Sequence, residues 1–227
     1  MVLHLIANGF SKYGVARLRG KAAALIICLF MTAPGWAGPV TVLAMGDSLT
    51  QGYGLVESEG FVPQMRGWLA ERGADVELIN GGVSGDTTAG GAARVAWSLT
   101  EDVDAMIVAL GGNDLLRGID PAVSRANLEA ILREAKARDV AVLLVGMTAP
   151  GNYGPDYKAA FDAIYPDLAE EYGTLHFENF FQGLGETDPA RAREYFQPDG
   201  IHPNARGVVR IVAAMGPAVL RLIERAK

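Results

Sequence analysis

An α/β fold, with a parallel sheet covered by helices on both faces, is what this sequence predicts from residue 38 to the C-terminus. Three observations carry it. Five short runs are mostly apolar and rich in Val, Ile or Leu, as strands buried on both faces are. They alternate with five longer segments whose apolar residues recur at helical spacing. Gly-rich or Gly-containing turns follow the first three runs. Alternation of this kind gives parallel strands joined by right-handed crossovers, with the strand-ending loops gathered on one edge, where such sheets bind ligands.

The elements follow in order. Strands are expected at Val40–Met45, Val76–Asn80, Ala105–Leu110, Ala141–Met147 and Thr174–Phe177. Helices are expected at Phe61–Arg72, Thr88–Ser98, Pro121–Arg138, Asp156–Tyr172 and Asn204–Ala226. In the last of these Val208, Ile211, Val212, Met215, Val219 and Leu222 form one apolar stripe. Asp120-Pro121 is an N-cap followed by proline at the first helical position. Gly73 and Gly173 stand where helix ends favour glycine. In this arrangement Ser48, Gly85, Asn113 and the segment from Thr148 to Tyr153 each follow one of the first four strands, and so share the carboxyl edge. Asp199 and His202 lie in the last loop before the final helix and can reach the same edge.

Residues 1–37 differ from the rest. Lys12, Arg17, Arg19 and Lys21 precede an apolar run, Ala22 to Met31, and then Ala33-Pro34-Gly35-Trp36-Ala37. A basic start, an apolar stretch of about ten residues and small residues at the end describe a cleaved secretory signal peptide. Cleavage is expected after Ala37. The alternative is a membrane anchor, but a spanning helix needs about 20 apolar residues. Removal leaves 16 Lys+Arg against 26 Asp+Glu, a net charge of −10. An acidic chain without a basic stripe argues against nucleic-acid binding. The single cysteine, Cys28, departs with the leader, so neither a disulfide nor a thiol nucleophile is expected in the remainder. With 50% hydrophobic residues and no internal repeat, the chain from 38 to 227 reads as one domain with a sizeable core.

The residues that carry chemistry are few. Gly46-Asp47-Ser48-Leu49 places a hydroxyl on the turn after the first strand. Asp199-Gly200-Ile201-His202 places a carboxylate three residues before an imidazole. A serine nucleophile needs a base to take its proton, and the base needs a partner to fix its tautomer. His202, between Gly200 and Pro203, can present both ring nitrogens. His4 leaves with the leader, and His176 lies at a strand end, where packing is the ordinary role. Each motif has a plainer reading: Gly-Asp-Ser makes a turn or caps a helix, and one Asp-x-x-His is common. Gly81-Gly82-Val83-Ser84-Gly85-Asp86 and Gly111-Gly112-Asn113-Asp114 could aim donors at a developing oxyanion, from the amides of Ser48 and Gly85 and the side chain of Asn113. They could also be tight turns alone. Neither phosphate-binding glycine pattern follows the first two strands, and no Gly-x-Ser-x-Gly elbow surrounds Ser48. No zinc-type cluster exists, so no metal is expected, and Asp86 and Asp114 read as braces of their turns.

Taken in order, Gly46-Asp47-Ser48-Leu49, Gly85, Gly111-Gly112-Asn113-Asp114 and Asp199-x-x-His202 resemble the four blocks of the SGNH (GDSL) hydrolases. The resemblance runs from about Val40 to the C-terminus. It is closer still to the bacterial thioesterase I, lysophospholipase and arylesterase subfamily, through Met45 to Gly54, Ser84 to Thr88, Asn152-Tyr153-Gly154, Tyr157, Phe161, Ala163 to Pro166 and Asp199 to Asn204. It implies a flavodoxin-like three-layer α/β/α sandwich on a five-stranded parallel sheet. It implies Ser48 as nucleophile, His202 as base, Asp199 as its orienting partner, and Ser48, Gly85 and Asn113 as the oxyanion hole. It also implies activity without a cofactor, often in the periplasm, on small esters, acyl thioesters or lysophospholipids. A periplasmic or secreted monomer, with no membrane insertion once the leader is removed, is the expectation. Where that subfamily usually has a bulky aliphatic residue before proline, this chain has Thr148-Ala149-Pro150-Gly151. That loop is expected to contact the acyl chain, which makes Thr148, Ala149 and Pro150 the substrate-binding candidates. The segment from Gly183 to Gln197 departs from the family pattern. A deacetylase of acetylated glycans, favoured by a small acyl pocket near Ala149, and a non-catalytic binding domain are the competing readings.

Overall fold

The structure, a computed structural model, describes residues 38–185 and 193–227. The predicted leader, residues 1–37, and part of the divergent segment before Gln197 lie outside the described residues. Five strands, β1 (Val40–Gly46), β2 (Val76–Gly82), β3 (Ala105–Ala109), β4 (Ala141–Val145) and β5 (Leu175–Phe177), form one parallel sheet in the order β2-β1-β3-β4-β5. This is the flavodoxin-like order, and its reversal point lies between β1 and β3. Ser48 follows β1 directly, so it sits at that switch point.

Eight α-helices are described: α1 (Ser48–Gln51), α2 (Phe61–Ala70), α3 (Thr88–Ser98), α4 (Gly112–Leu116), α5 (Pro121–Ala137), α6 (Pro155–Asp162), α7 (Ile164–Tyr172) and α8 (Ala205–Arg225). Period-two alternation along the strands divides the core. Val42 and Ala44 of β1, Ile107 of β3 and Leu143 of β4 face α2 and α8, meeting Phe61, Met65, Ile211 and Met215. Leu43 and Met45, Met106 and Val108, and Val142 and Leu144 face α3, α5 and α7, meeting Leu99, Leu128, Ile131 and Tyr165. Burying each such side chain contributes about 1.5–3 kcal/mol, which is why strands buried on both faces carry so few polar residues.

Two expectations change. The helix expected over Asp156–Tyr172 is two helices, α6 and α7, with a turn at Ala163. Pro166 has no N–H to give the carbonyl four residues earlier, so the hydrogen-bond ladder lapses there. The short helices α1 and α4 were not expected, because four or five residues are too few to show a period. The Asp120 cap agrees with expectation: Asp120 accepts from the amide of Ala122 at the start of α5 at 2.9 Å. Asn204, expected as the first helical residue, is instead the cap of α8 and accepts from Gly207 at 3.1 Å.

Candidate active site

The turn after β1 is fixed by its own carboxylate. Asp47 caps α1, its Oδ1 accepting from the Leu49 amide at 3.0 Å. Ser48 is then the first helical residue, and its amide has no acceptor within the helix. Its side chain meets His202 across 154 residues of chain: Ser48 Oγ lies 2.9 Å from His202 Nε2, and His202 Nδ1 lies 2.7 Å from Asp199 Oδ2. The other Asp199 oxygen accepts from the amides of Ile201, at 2.9 Å, and His202, at 3.0 Å. The Ile201 amide foremost, and then the His202 ring, hold the Asp199 carboxyl down at about 2. An ionised carboxylate only accepts, so the ring proton belongs on Nδ1 and Nε2 is left to accept the Ser48 hydroxyl. Tyr53 covers the imidazole, with ring centroids 4.7 Å apart.

Asn113, in the first turn of α4, donates from Nδ2 to Asp47 Oδ2 at 3.3 Å. An amide nitrogen has two hydrogens, so one remains for the cleft. The turn before Asn113 requires glycine. Gly111 has φ +116°, and a Cβ there would collide with the Tyr165 hydroxyl, which donates to the Leu110 carbonyl at 2.9 Å. Behind these loops lies a buried polar frame. Asp114 is fully buried and accepts from the Thr88 amide at 2.9 Å, the Thr88 hydroxyl at 2.6 Å and the Ser124 hydroxyl at 3.0 Å. Asp86 pairs with Arg94 at 2.8 Å, and Arg94 also donates to the Gly46 carbonyl at 3.0 Å. Asp86 and Asp114 therefore brace their turns, as expected, and Arg94 ties the turn of Ser48 to the turn of Gly85.

Ser48, Gly85, Asn113 and His202 share one open cleft of about 630 Å³. Its walls are apolar, supplied chiefly by Leu116, Met147, Tyr153, Phe181, Phe196 and Ile201. Thr148 and Pro150 line it. Ala149 does not: it is 2% exposed and packs into the core, because Asp162 accepts from its amide and Lys158 donates to its carbonyl, both at 2.7 Å. His176 is partly buried in β5, as its position suggested, but its Nε2 is enclosed without a hydrogen-bond partner, and burial lowers the ring's pKa. Among the described residues no group of three acidic, His or Cys side chains could hold a metal ion, and no helix is long and apolar enough to cross a membrane.

The sequence pattern of the GDSL-like lipase/acylhydrolase family matches residues 44–209. The chain belongs to this family. Esterase TesA of Pseudomonas aeruginosa is 37% identical over 188 residues, covering 82% of this chain and 91% of that protein. Thioesterase 1/protease 1/lysophospholipase L1 of Escherichia coli K12 is 36% identical over 166 residues, covering 72% of this chain and 76% of that protein. The crystal structure of AlinE4, described as an SGNH-hydrolase family esterase, superimposes with a TM-score of 0.67 at 41% identity, covering 82% of this chain and 97% of that one. The chain is thus a hydrolase of the GDSL family, with that family's five-stranded α/β/α sandwich.

Within this GDSL scaffold, Asp47 reads from the sequence only as a turn or cap residue. It is also a carboxylate 2% exposed, and burial pushes its pKa up to about 6, against the opposing pull of the Leu49 amide and Asn113. A carboxyl raised above its unfolded value of 3.8 favours folding below that value and loses the benefit as pH rises through about 6. Over that span the change is about 3 kcal/mol. Asp47→Asn does not titrate. Its unfolding free energy relative to the parent is therefore expected to rise by about 2.5 kcal/mol between pH 4 and pH 8, read from urea unfolding at the two pH values. A difference that stays constant with pH would show that Asp47 is not strained by burial.

Proposed function

We propose that the chain is an exported serine esterase working through an acyl-enzyme. The observation that carries this reading is the unbroken relay from Ser48 Oγ through His202 to Asp199, at 2.9 and 2.7 Å, opening into an apolar cleft. In the proposed reaction the Ser48 oxygen attacks the ester carbonyl while His202 Nε2 takes its proton. The developing oxyanion lies against the amides of Ser48 and Gly85 and the free hydrogen of Asn113. His202⁺ returns the proton to the departing alcohol, and water repeats the sequence to release the acid. Asp199 holds the ring and stabilises its charged form. No cofactor enters.

The cleft supports aryl and alkyl esters, and acyl thioesters and lysophospholipids beside them, because its walls accept several methylenes at about 0.8 kcal/mol each. Thr148 and Pro150 would border the acyl chain. An acetyl group would leave most of that space unfilled, which argues against the deacetylase reading. Residues 1–37 would direct export to the periplasm or beyond. The working form would be a monomer without a nucleic-acid partner.

Hydrolysis of p-nitrophenyl esters from acetyl to palmitoyl, with Ser48→Ala as the blank, tests the reading. Activity that vanishes in the blank and rises with acyl length beyond acetyl is expected. Equal rates with and without Ser48 would end the serine mechanism. Hydrolysis of the acetyl ester alone would restore the deacetylase.

A further inference from the structure

We infer that Gln197 is a positioning residue that clamps the turn carrying the nucleophile to the loop carrying the base. The inference rests on the serine esterase reading above. Ser48 and His202 come from opposite ends of the chain, and their Oγ–Nε2 contact needs the two loops held in register. Gln197 has the means. Its side-chain Nε2 donates to the Tyr53 carbonyl at 2.8 Å, in the turn that closes α1, and to the Pro203 carbonyl at 3.1 Å, beside His202. Its backbone amide donates to the His202 carbonyl at 2.8 Å, and its own carbonyl accepts from Gly200 at 3.0 Å. The two amide hydrogens are thus divided between the two halves of the relay. The Tyr53 held in this way is the ring that covers the imidazole.

The opposing turn is shaped to admit the amide. Gly54 has φ +74°, and a Cβ there would collide with Gln197 Oε1. Gln197 is only partly buried and sits outside both core clusters. Its removal therefore leaves the hydrophobic packing intact and acts on loop register. A displacement of about 1 Å between reacting groups can cost about 10²-fold in rate.

The test measures kcat and KM on a p-nitrophenyl ester, with melting temperature, for Gln197→Leu, Gln197→Glu and Gln197→Lys. The leucine variant deletes both donors. The glutamate variant keeps the shape and puts acceptors where donors stood, so it reports even if the leucine variant folds poorly. The lysine ammonium offers donors to both carbonyls and serves as the rescue. Leucine and glutamate are expected to lower kcat about 10- to 100-fold with KM within about twofold, and lysine to recover part of the loss. A kcat per folded molecule within twofold of the parent in both, with only the melting temperature lowered, would overturn the clamp. If the parent itself lacks Ser48-dependent hydrolysis, the esterase reading falls separately. Amide hydrogen exchange at residues 52–55 and 199–204 then decides. Faster exchange in Gln197→Leu upholds the clamp, and unchanged exchange refutes it.

Discussion

Asp199→Asn is expected to lower kcat/KM about 10⁴-fold at neutral pH while leaving the fold intact. The two oxygens of Asp199 have separate duties. One accepts from the amides of Ile201 and His202, and the other faces His202 Nδ1 at 2.7 Å. In the asparagine variant the remaining carbonyl oxygen stays with the two amides, because only it can accept. The NH₂ group must then face Nδ1. That forces the ring proton onto Nε2, where it points at Ser48 and can no longer receive the hydroxyl hydrogen. The geometry survives and the tautomer is wrong. Steady-state kinetics on a p-nitrophenyl ester, with melting curves to confirm the fold, decide the matter. A loss below tenfold would mean that Asp199 neither orients the imidazole nor supports its charge.

Arg94→Leu is expected to cost about 3–5 kcal/mol of stability. Arg94 is 9% exposed, and the Asp86 side chain it pairs with is 12% exposed. Deleting the guanidinium leaves a carboxylate that water barely reaches. It also removes one of two donors to the Gly46 carbonyl, leaving the Val83 amide at 3.0 Å. Urea unfolding measures the loss. Arg94→Lys should lose less, since its ammonium keeps a positive charge beside Asp86, though without the planar fork that spans Asp86 and the Gly46 carbonyl. Arg94→Leu with Asp86→Leu should recover much of the deficit, because the stranded charge is gone. A single-variant loss under 1 kcal/mol would show that solvent relieves Asp86.

These effects also mark where the sequence was legible. The central strands β1, β3 and β4 were readable because both faces are buried, so an apolar run needs no partner to be recognised, while the edge strands β2 and β5 are only partly buried. Ser48, Asn113 and His202 were readable because short motifs with fixed spacing carry them, and the sheet rule placed them on one edge. Asp47 was only half legible. Its cap follows from Gly-Asp-Ser, but its burial comes with the Asn113 turn packed over it, which no local pattern encodes. Ala149 was placed wrongly for a similar reason. The direction of that loop is set by Asp162 and Lys158, which catch its backbone from another helix. The aromatic walls, Phe181 and Phe196, and the amide of Gln197 come from irregular segments without a period. Only tertiary contact reveals their role.

The separation between Ser48 and His202 has a consequence for synthesis. Ser48, its capping carboxylate and both glycine turns are complete by Asp114, about halfway along the chain. His202 arrives just before the last helix. On the serine esterase reading proposed above, a ribosome-bound or C-terminally clipped chain would hold Ser48 without its base. On the same reading hydrolysis needs the final segment docked, so turnover would report a finished domain rather than a partly folded one.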